Sequence, residues 1–421
     1  MGASVKPREM QVIAASEAKK EVSLAYLFYT FFKIGLVSFG GHMALIAVIQ
    51  RIMVEKDKML PNEVILNSIS IASLLPGPLA VNVVGQTGYY LRKGLGAVIS
   101  TVAIILPAFL LMLLLAWAYF SHQQIINWQA AMTYVAGVVS AIILATGLQL
   151  YKKEINRNLK KNFLFGAVLI ILFFTQNYLV TVALLVAGAV VGILLEVQVD
   201  AKENDLTRNK NLAFSPQNAA IGFFSRIVLV FLLINQVLFY SNAAKDIGTG
   251  YIKIMLIFAG ISLSLFGGGY VMIPIMEVLF VKELHWLNNK EFIDAIAFSQ
   301  ATPGPILISA TFIGYKIAGF GGALLATAAI FAPSVFLVIL VSNIISKYQE
   351  KRFIKNLLGG IKVVVVGLIV VSAFQIIQHE NFNWWLTGLL LISFILNYKY
   401  KISPVYLVLA AVLLGIFTNL L

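Results

Sequence analysis

Glycine and proline breaks inside long apolar stretches are the residues of this chain with the most specific chemical meaning. A helix that restarts after such a break presents free backbone amides and the positive end of its dipole, which favour an anion. Pro78 and Pro305 suit the first position of a helix, and Gly41 and Gly268 leave neighbouring amides unshielded. The breaks therefore predict a dehydrated anion held mainly by backbone amides. The residues of the four breaks are Phe39, Gly40, Gly41, Pro76, Gly77, Pro78, Phe266, Gly267, Gly268, Gly269, Pro303, Gly304 and Pro305.

Neutral polar side chains beside the breaks are candidate ligands of the same anion. They donate hydrogen bonds without the cost of burying another charge. Each also has a simpler interpretation, as a buried polar group bonded to a neighbouring helix. The candidates are Ser38, His42, Asn82, Gln86, Ser299, Gln300, Thr302 and Ser309.

Lys33 and Glu277 lie inside apolar stretches and away from their ends, where ionisable groups are functional candidates by default. Lys33 lies five residues before Ser38. Its ammonium either adds positive potential to the anion site or extends to the membrane surface. Glu277 follows the second glycine break and is the candidate proton carrier, with pairing to a basic residue at the membrane face as the alternative. The sequence leaves both alternatives open.

The composition indicates an all-α polytopic membrane protein. Hydrophobic residues make up 60% of the 421 residues, charged residues 12%, and the mean hydropathy is +0.90, whereas soluble domains carry about 25% charged residues. The apolar stretches are far longer than the strands of a membrane barrel. The absence of cysteine excludes disulfides, thiolate metal sites and cysteine nucleophiles, and we expect no metal or cofactor. The net charge of +13 fits basic cytoplasmic loops better than a nucleic-acid partner.

Lys and Arg are concentrated in the segments that a cytoplasmic N-terminus places inside, which predicts an N-in, C-out chain. This argument holds whether stretches 24–50 and 64–90 cross the membrane or dip in and return, so the sequence does not separate full spans from re-entrant hairpins. The predicted divisions are a cytoplasmic amphipathic segment (1–22), a first transmembrane repeat (23–197), a cytoplasmic linker (198–222), a linking transmembrane helix (223–241) and a second, inverted transmembrane repeat (251–421).

The breaks recur at a constant spacing, which predicts an internal duplication. Phe39 and Phe266 are 227 positions apart, as are Pro76 and Pro303. The basic residues that flank equivalent stretches change sides between the halves, so the two repeats have inverted topology. Inverted repeats with broken helices are typical of secondary transporters.

At these motifs the sequence resembles the chromate ion transporter family in its long, two-domain form. The resemblance implies a multi-pass protein of the bacterial inner membrane that exports chromate from the cytoplasm, with sulfate as a structural analogue. The expected partners are an oxyanion and membrane lipid, without nucleic acid, and a homodimer is also considered. The second half departs from the first at Leu265, in place of Ser38, and at Gly260, in place of Lys33. The motifs are Phe31-Phe32-Lys33-Ile34-Gly35-Leu36-Val37-Ser38-Phe39-Gly40-Gly41, Leu75-Pro76-Gly77-Pro78, Phe266-Gly267-Gly268-Gly269 and Gln300-Ala301-Thr302-Pro303-Gly304-Pro305.

Other functions are consistent with parts of the pattern. An exporter of amino acids or other carboxylates would use the same helix N-termini, and an ammonium group would need Glu277 or Asp294 as its buried partner. An intramembrane enzyme is disfavoured, because the His-Glu-x-x-His, Gly-x-Gly-Asp and Gly-x-Ser-Gly motifs are absent. The sequence does not distinguish a carrier from a channel.

The glycine breaks generate a direct test. Gly41→Leu and Gly268→Leu should abolish transport with little loss of expressed protein, because a side chain there blocks access to the amides and close approach of the backbone. Uptake into inverted vesicles, normalised to protein in the membrane, measures this. Normal transport by both variants would mean that these glycines serve helix packing only.

Overall fold

The computed structural model describes residues 22–38, 42–72, 75–122, 132, 134–156, 158–175, 178–194, 250–265, 269–345, 352–378 and 384–420. The predicted linker and linking helix lie outside these ranges, as do nearly all of the N-terminal segment and the residues Phe39–Gly41 and Phe266–Gly268.

The described part of the first half is built from helices. Its helices are α1 (Leu24–Val37), α2 (His42–Ile49), the π-helix π1 (Gln50–Lys56), α3 (Asn62–Ala72), α4 (Leu79–Ser121), α5 (Val135–Glu154), α6 (Leu159–Phe174) and α7 (Tyr178–Leu194). Ser23 caps the start of α1, where its hydroxyl accepts a hydrogen bond from the backbone amide of Tyr26 at 3.1 Å.

The second half repeats this order element by element. It contains α8 (Tyr251–Ser264), a 3-10 turn (Gly269–Val271), α9 (Met272–Glu277), the π-helix π2 (Val278–Glu283), α10 (Asn289–Ala301), a 3-10 turn (Ile306–Ile308), α11 (Ser309–Ile345), α12 (Arg352–Gln378), α13 (Trp384–Tyr398) and α14 (Pro404–Leu420). The predicted offsets recur in these bounds: α3 and α10 begin 227 positions apart, and α7 and α14 begin 226 positions apart. Even the uncommon π-helices occur in both halves.

The chain reverses direction at each break, so that the ends of the segments before and after the break lie close together. Tyr26, at the start of α1, donates its hydroxyl to Asp57, just after π1, at 2.6 Å. If residues 24–50 crossed a membrane, these two side chains would be separated by its thickness, about 30 Å. The guanidinium of Arg92 also reaches the carbonyl of Val22 at 3.3 Å. The structure therefore resolves the alternative that the sequence left open: residues 24–56 and 62–91 form two re-entrant hairpins with their ends on one face.

The second half has the same two hairpins. Lys316 forms an ion pair with Glu291, which brings the end of one hairpin arm to the start of the other. Lys253, near the start of α8, lies over the ring of Trp286, which follows π2, at 6.0 Å from the ring centroid. Both contacts join positions that a full crossing would separate.

A sharp kink divides α4 and α11 into a short and a long limb. In α4 the limbs are 79–91 and 94–121, and the kink lies at Arg92 and Lys93. In α11 the limbs are 309–317 and 320–345, and the kink lies at Ala318 and Gly319. The limbs fold against each other where two glycines meet, Gly88 with Gly96 in α4 and Gly314 with Gly322 in α11.

The long limbs of α4 and α11 run antiparallel. Gly94, at the start of one limb, lies against the side chain of Ile339, near the end of the other. At the opposite end, the ring of Phe120 stacks on that of Tyr315, which lies just before the kink from which the long limb of α11 starts, with centroids 6.2 Å apart. Equivalent helices that point in opposite directions are the defining feature of inverted repeats, so the predicted fold class is confirmed.

Four described helical segments are long and apolar enough to cross a membrane: Leu79–Ser121, Val135–Glu154, Ile306–Leu340 and Asn356–Gln378. They form two repeat-equivalent pairs. Shorter apolar helices accompany them, and α12 packs against α5, α6 and α7 of the other half. The chain is an all-α polytopic membrane protein.

Cysteine labelling distinguishes hairpins from full crossings, because the chain has no cysteine of its own. Lys56→Cys and Tyr90→Cys should react with an impermeant reagent from the same side of the membrane, and Glu283→Cys and Phe320→Cys from the opposite side. Labelling in intact cells and in inverted vesicles measures this. Full crossings would instead place residues 56 and 90 on opposite sides.

Candidate functional site

The two Pro-Gly-Pro turns bind the opposite half of the molecule through backbone hydrogen bonds. The amide of Gly77 donates to the carbonyl of Leu265 at 2.7 Å, and the amide of Gly304 donates to the carbonyl of Ser38 at 3.0 Å. Gly77 and Gly304 are repeat equivalents, and so are Ser38 and Leu265. Each Pro-Gly-Pro turn therefore meets the last described residue of the broken helix of the other repeat.

A small cavity lies between the helix N-termini that follow the turns. About 20 Å³ of it is open to the centre of a water-sized sphere, which is room for about one water. A tetrahedral oxyanion is larger, so it enters only if the surrounding segments separate. None of the described lining residues is charged. They are Leu45, Pro78, Leu79, Ala80, Gly269, Tyr270, Gly304, Pro305, Ile306 and Leu307.

Backbone amides are the polar groups that these helix starts offer to the cavity. In α4 the bond from the amide of Asn82 to the carbonyl of Pro78, at 2.9 Å, is the first of the helix, so the amide of Ala80 precedes the helical ladder. In the second half the amide of Ile308 bonds to the carbonyl of Pro305 at 3.0 Å, which leaves the amide of Leu307 in the same position. Both residues line the cavity.

Glycine is required at the centre of both turns. Gly77 has a φ of +107° and Gly304 a φ of +110°, where other residues are strained. A side chain on Gly77 would also overlap the hydroxyl of Ser334, whereas among the described residues one on Gly304 would meet only the methyl of Ala108, at 3.0 Å. Ser334 and Ala108 are repeat equivalents that sequence reasoning missed, although the offset of 226 pairs them.

Asn82, near the start of α4, supports the Pro-Gly-Pro turn of the first repeat. It is fully buried, and its Nδ2 donates to the carbonyls of Pro76 at 3.2 Å and Leu75 at 3.4 Å. Its Oδ1 has no hydrogen-bond partner among the described residues. The equivalent residue is Ser309, also fully buried, whose hydroxyl has no partner within the same ranges. Side chains at this position therefore keep hydrogen-bonding capacity beside each turn.

The remaining neutral candidates divide into two groups. Ser38 is buried and donates to the carbonyl of Ile34 at 2.6 Å, so its side chain caps its own helix. Thr302 similarly donates to the carbonyl of Ser299 at 3.3 Å. Gln300 is only 4% exposed, and neither atom of its amide has a hydrogen-bond partner in the described part of the chain. Gln300 therefore stays the strongest side-chain candidate in the second half.

Lys33 points away from the break that follows it. Its side chain is exposed, and its ammonium lies 4.1 Å from the centroid of the Tyr29 ring, one turn back toward the start of α1. Of the two uses that the sequence left open, this position favours extension toward the membrane surface, with a cation–π contact.

Glu277 is buried at the junction of α9 and π2, only 2% exposed. Its carboxylate accepts a hydrogen bond from the hydroxyl of Ser372 on α12 at 2.6 Å. Lys282 is close enough to interact with it electrostatically.

The side chain of His42, at the start of α2, and the Phe-Gly-Gly residues lie outside the described residues. Within those residues, no three His, Asp or Glu side chains gather as metal ligands would.

The fold and the site define a membrane protein of two interlocked inverted repeats around a central set of helix N-termini. The sequence profile of the family described as "Chromate transporter" matches residues 25–193 and 252–416, once for each repeat. The chain belongs to this family. No solved structure matches it.

Relatives in several organisms match this chain over nearly its full length or over about one repeat. A protein named chromate transport protein from Cupriavidus metallidurans is 28% identical over 98% of both chains. An uncharacterized transporter from the archaeon Methanocaldococcus jannaschii is 28% identical over 95% of both. An uncharacterized transporter from Bacillus subtilis is 30% identical over 36% of this chain and 86% of its own, which is about the length of one repeat.

The unequal surroundings of the two turns give a matched pair of variants. Gly77→Ala and Gly304→Ala share the strain of a positive φ, about 1–3 kcal/mol. Only Gly77→Ala also overlaps the Ser334 hydroxyl, so it should lower the thermal unfolding midpoint more. Adding Ser334→Ala to Gly77→Ala should recover part of the loss. Equal midpoints for the two single variants, measured in detergent, would contradict this packing.

Proposed function

We propose that this protein is a secondary transporter that exports an oxyanion, chromate in the first place, at the central set of helix N-termini. The observation that carries the proposal is the uncharged cavity between the starts of α4 and α11, which is lined by Ala80 and Leu307, whose backbone amides precede the helical ladder. A site of this kind suits an anion. Family membership and the names of full-length relatives support chromate as the substrate.

Backbone amides are able to balance the charge of a dianion here. Each helix N-terminus carries roughly half a positive charge, so four of them offset about two negative charges. The Pro-Gly-Pro turns supply two, and the segments after the Phe-Gly-Gly breaks, which begin at His42 and Gly269, supply the others. Sulfate has the same shape and charge as chromate and is the second candidate substrate.

The reciprocal turn bonds suggest how access alternates. The bond from Gly77 to Leu265 and the bond from Gly304 to Ser38 are related by the inverted repeat, so they belong to opposite sides of the cavity. Breaking one of them while the other holds would open the cavity to one side only. The small size of the cavity fits a state in which both are closed.

The driving force follows from the charge of the substrate. When a dianion leaves a negative-inside cell, its free energy falls by about 2.3 kcal/mol per charge per 100 mV of membrane potential. Glu277 is the proposed site of proton exchange in an antiport mechanism, because it is a buried carboxyl that follows the second glycine break in the chain. We place the protein in the bacterial inner membrane with a cytoplasmic N-terminus and the domain divisions given above. Sulfate transport and a homodimer belong to the same proposal.

An amino-acid substrate is less well supported by the contacts of the two buried acids. Its ammonium group would need a carboxylate at the cavity. Asp294 instead accepts a hydrogen bond from Tyr119 at 2.7 Å, Glu277 accepts one from Ser372, and neither acid lines the cavity.

Competition for labelled chromate in proteoliposomes tests the function. Sulfate should compete, because it shares the shape and charge of chromate, while nitrate and glutamate should not.

Lys33→Gln should lower chromate affinity by less than tenfold, because the ammonium of Lys33 lies over Tyr29 and contributes only a distant field. Competition by glutamate but not sulfate would support the amino-acid exporter instead, and complete loss of binding in Lys33→Gln would show that a charge pair holds the anion.

A further inference from the structure

A second buried carboxyl, Asp294, lies away from the cavity and has no part in the anion site. It is 2% exposed, and Tyr119, which is 6% exposed, donates its hydroxyl to Asp294 Oδ2 at 2.7 Å. Tyr119 ends the long limb of α4 in the first repeat, and Asp294 lies in α10 of the second. The contact therefore ties the two repeats together. An ionisable group buried inside a membrane protein is costly and marks a functional site by default.

The inverted repeat shows that Asp294 belongs to one face of the membrane. In an inverted repeat, a difference between equivalent residues is a difference between the two faces of the membrane. Asp294 is equivalent to Asn67, and Tyr119 to Ile345, so the carboxyl–hydroxyl pair exists at one face only. That face also holds the Lys316–Glu291 ion pair and, by the topology proposed above, lies opposite the N-terminus.

The helix that carries Asp294, α10, leads directly into the Pro-Gly-Pro turn of the second repeat. Residues Gln300 and Thr302 follow it at the end of α10, directly before Pro303. A hydrogen bond to an ionised carboxylate is roughly twice as strong as one to a neutral group. Protonation of Asp294 therefore weakens the tie to Tyr119 and removes a negative charge that repels a departing anion.

We propose that Asp294, held by Tyr119, is a proton-binding site that controls release of the anion at the face opposite the N-terminus. The proposal rests on the transport function above and adds a second acid to it. The reaction is simple: the carboxylate binds one proton from the outer solution, and the neutral acid frees α10 to move away from α4.

The titratable groups around this pair come from α10 itself, which also carries Lys290 and Glu291, and from the elements packed against it. Glu291 lies one turn earlier on the same helix and is paired with Lys316. The elements packed against α10 include α4, α5, α9, α11 and α14. The titratable side chains that these elements carry are Tyr89, Tyr90, Arg92, Lys93 and Tyr119 on α4, Tyr151, Lys152, Lys153 and Glu154 on α5, Glu277 on α9, Tyr315 and Lys316 on α11, and Tyr406 on α14.

Infrared difference spectra between acid and alkaline pH test proton binding without any substrate. The full-length wild type in lipid nanodiscs should show a protonated-carboxyl band that Asp294→Asn lacks. Tyr119→Phe should keep the band at a shifted frequency, because the acid has lost its hydrogen-bond donor. Glu291→Gln, which removes a carboxyl from the same helix, should leave it unchanged. Identical spectra for wild type and Asp294→Asn would overturn the proposal.

Transport in proteoliposomes tests the coupling. Asp294→Asn should keep potential-driven chromate transport within about threefold of wild type and lose its stimulation by acid on the outer face. Glu291→Gln should keep both. Stimulation retained by folded Asp294→Asn, or loss of both modes, would overturn the proposal. If wild type moves no chromate while the infrared band still depends on Asp294, the transport function fails and the proton site stands.

Discussion

Every backbone polar group within a bilayer must find a partner inside the protein, and the whole architecture depends on this constraint. Breaking a helix frees amides and carbonyls that lipid does not accept. The structure satisfies part of them across the repeat boundary, where Gly77 bonds to Leu265 and Gly304 to Ser38. Ala80 and Leu307, whose amides precede the helical ladder, line a small central cavity at the starts of two helices. The same disruption therefore interlocks the halves and leaves the cavity at which we propose that the anion binds.

The inverted repeat turns sequence differences into differences between the two membrane faces. At the kink of α4 the residue with positive φ is Lys93 (+53°), whereas the equivalent residue of α11 is Gly319 (+60°). Lysine at such a position is strained, and it places a cation at one face only. The other face instead has the buried acid Asp294, with Asn67 as its neutral counterpart.

The fold class, the duplication and the position of the breaks could be predicted from sequence because identical motifs recur at a fixed offset. Hydropathy does not reveal a chain that turns back in the bilayer, so the hairpin contact between Tyr26 and Asp57 had to come from the structure. The bond between Tyr119 and Asp294 joins residues 175 positions apart, and no sequence motif predicts it. The direction of the Lys33 side chain depends on its rotamer, which the apolar pattern does not encode.

The location of the bound anion tests the central claim most directly. Crystals of the protein soaked with chromate or selenate would reveal the anion by anomalous scattering. The account predicts one strong peak between the two Pro-Gly-Pro turns, within hydrogen-bonding distance of the amides of Ala80 and Leu307 and of no Lys or Arg side chain. A peak at Lys33 or at the Arg92–Lys93 kink, with an empty centre, would contradict it.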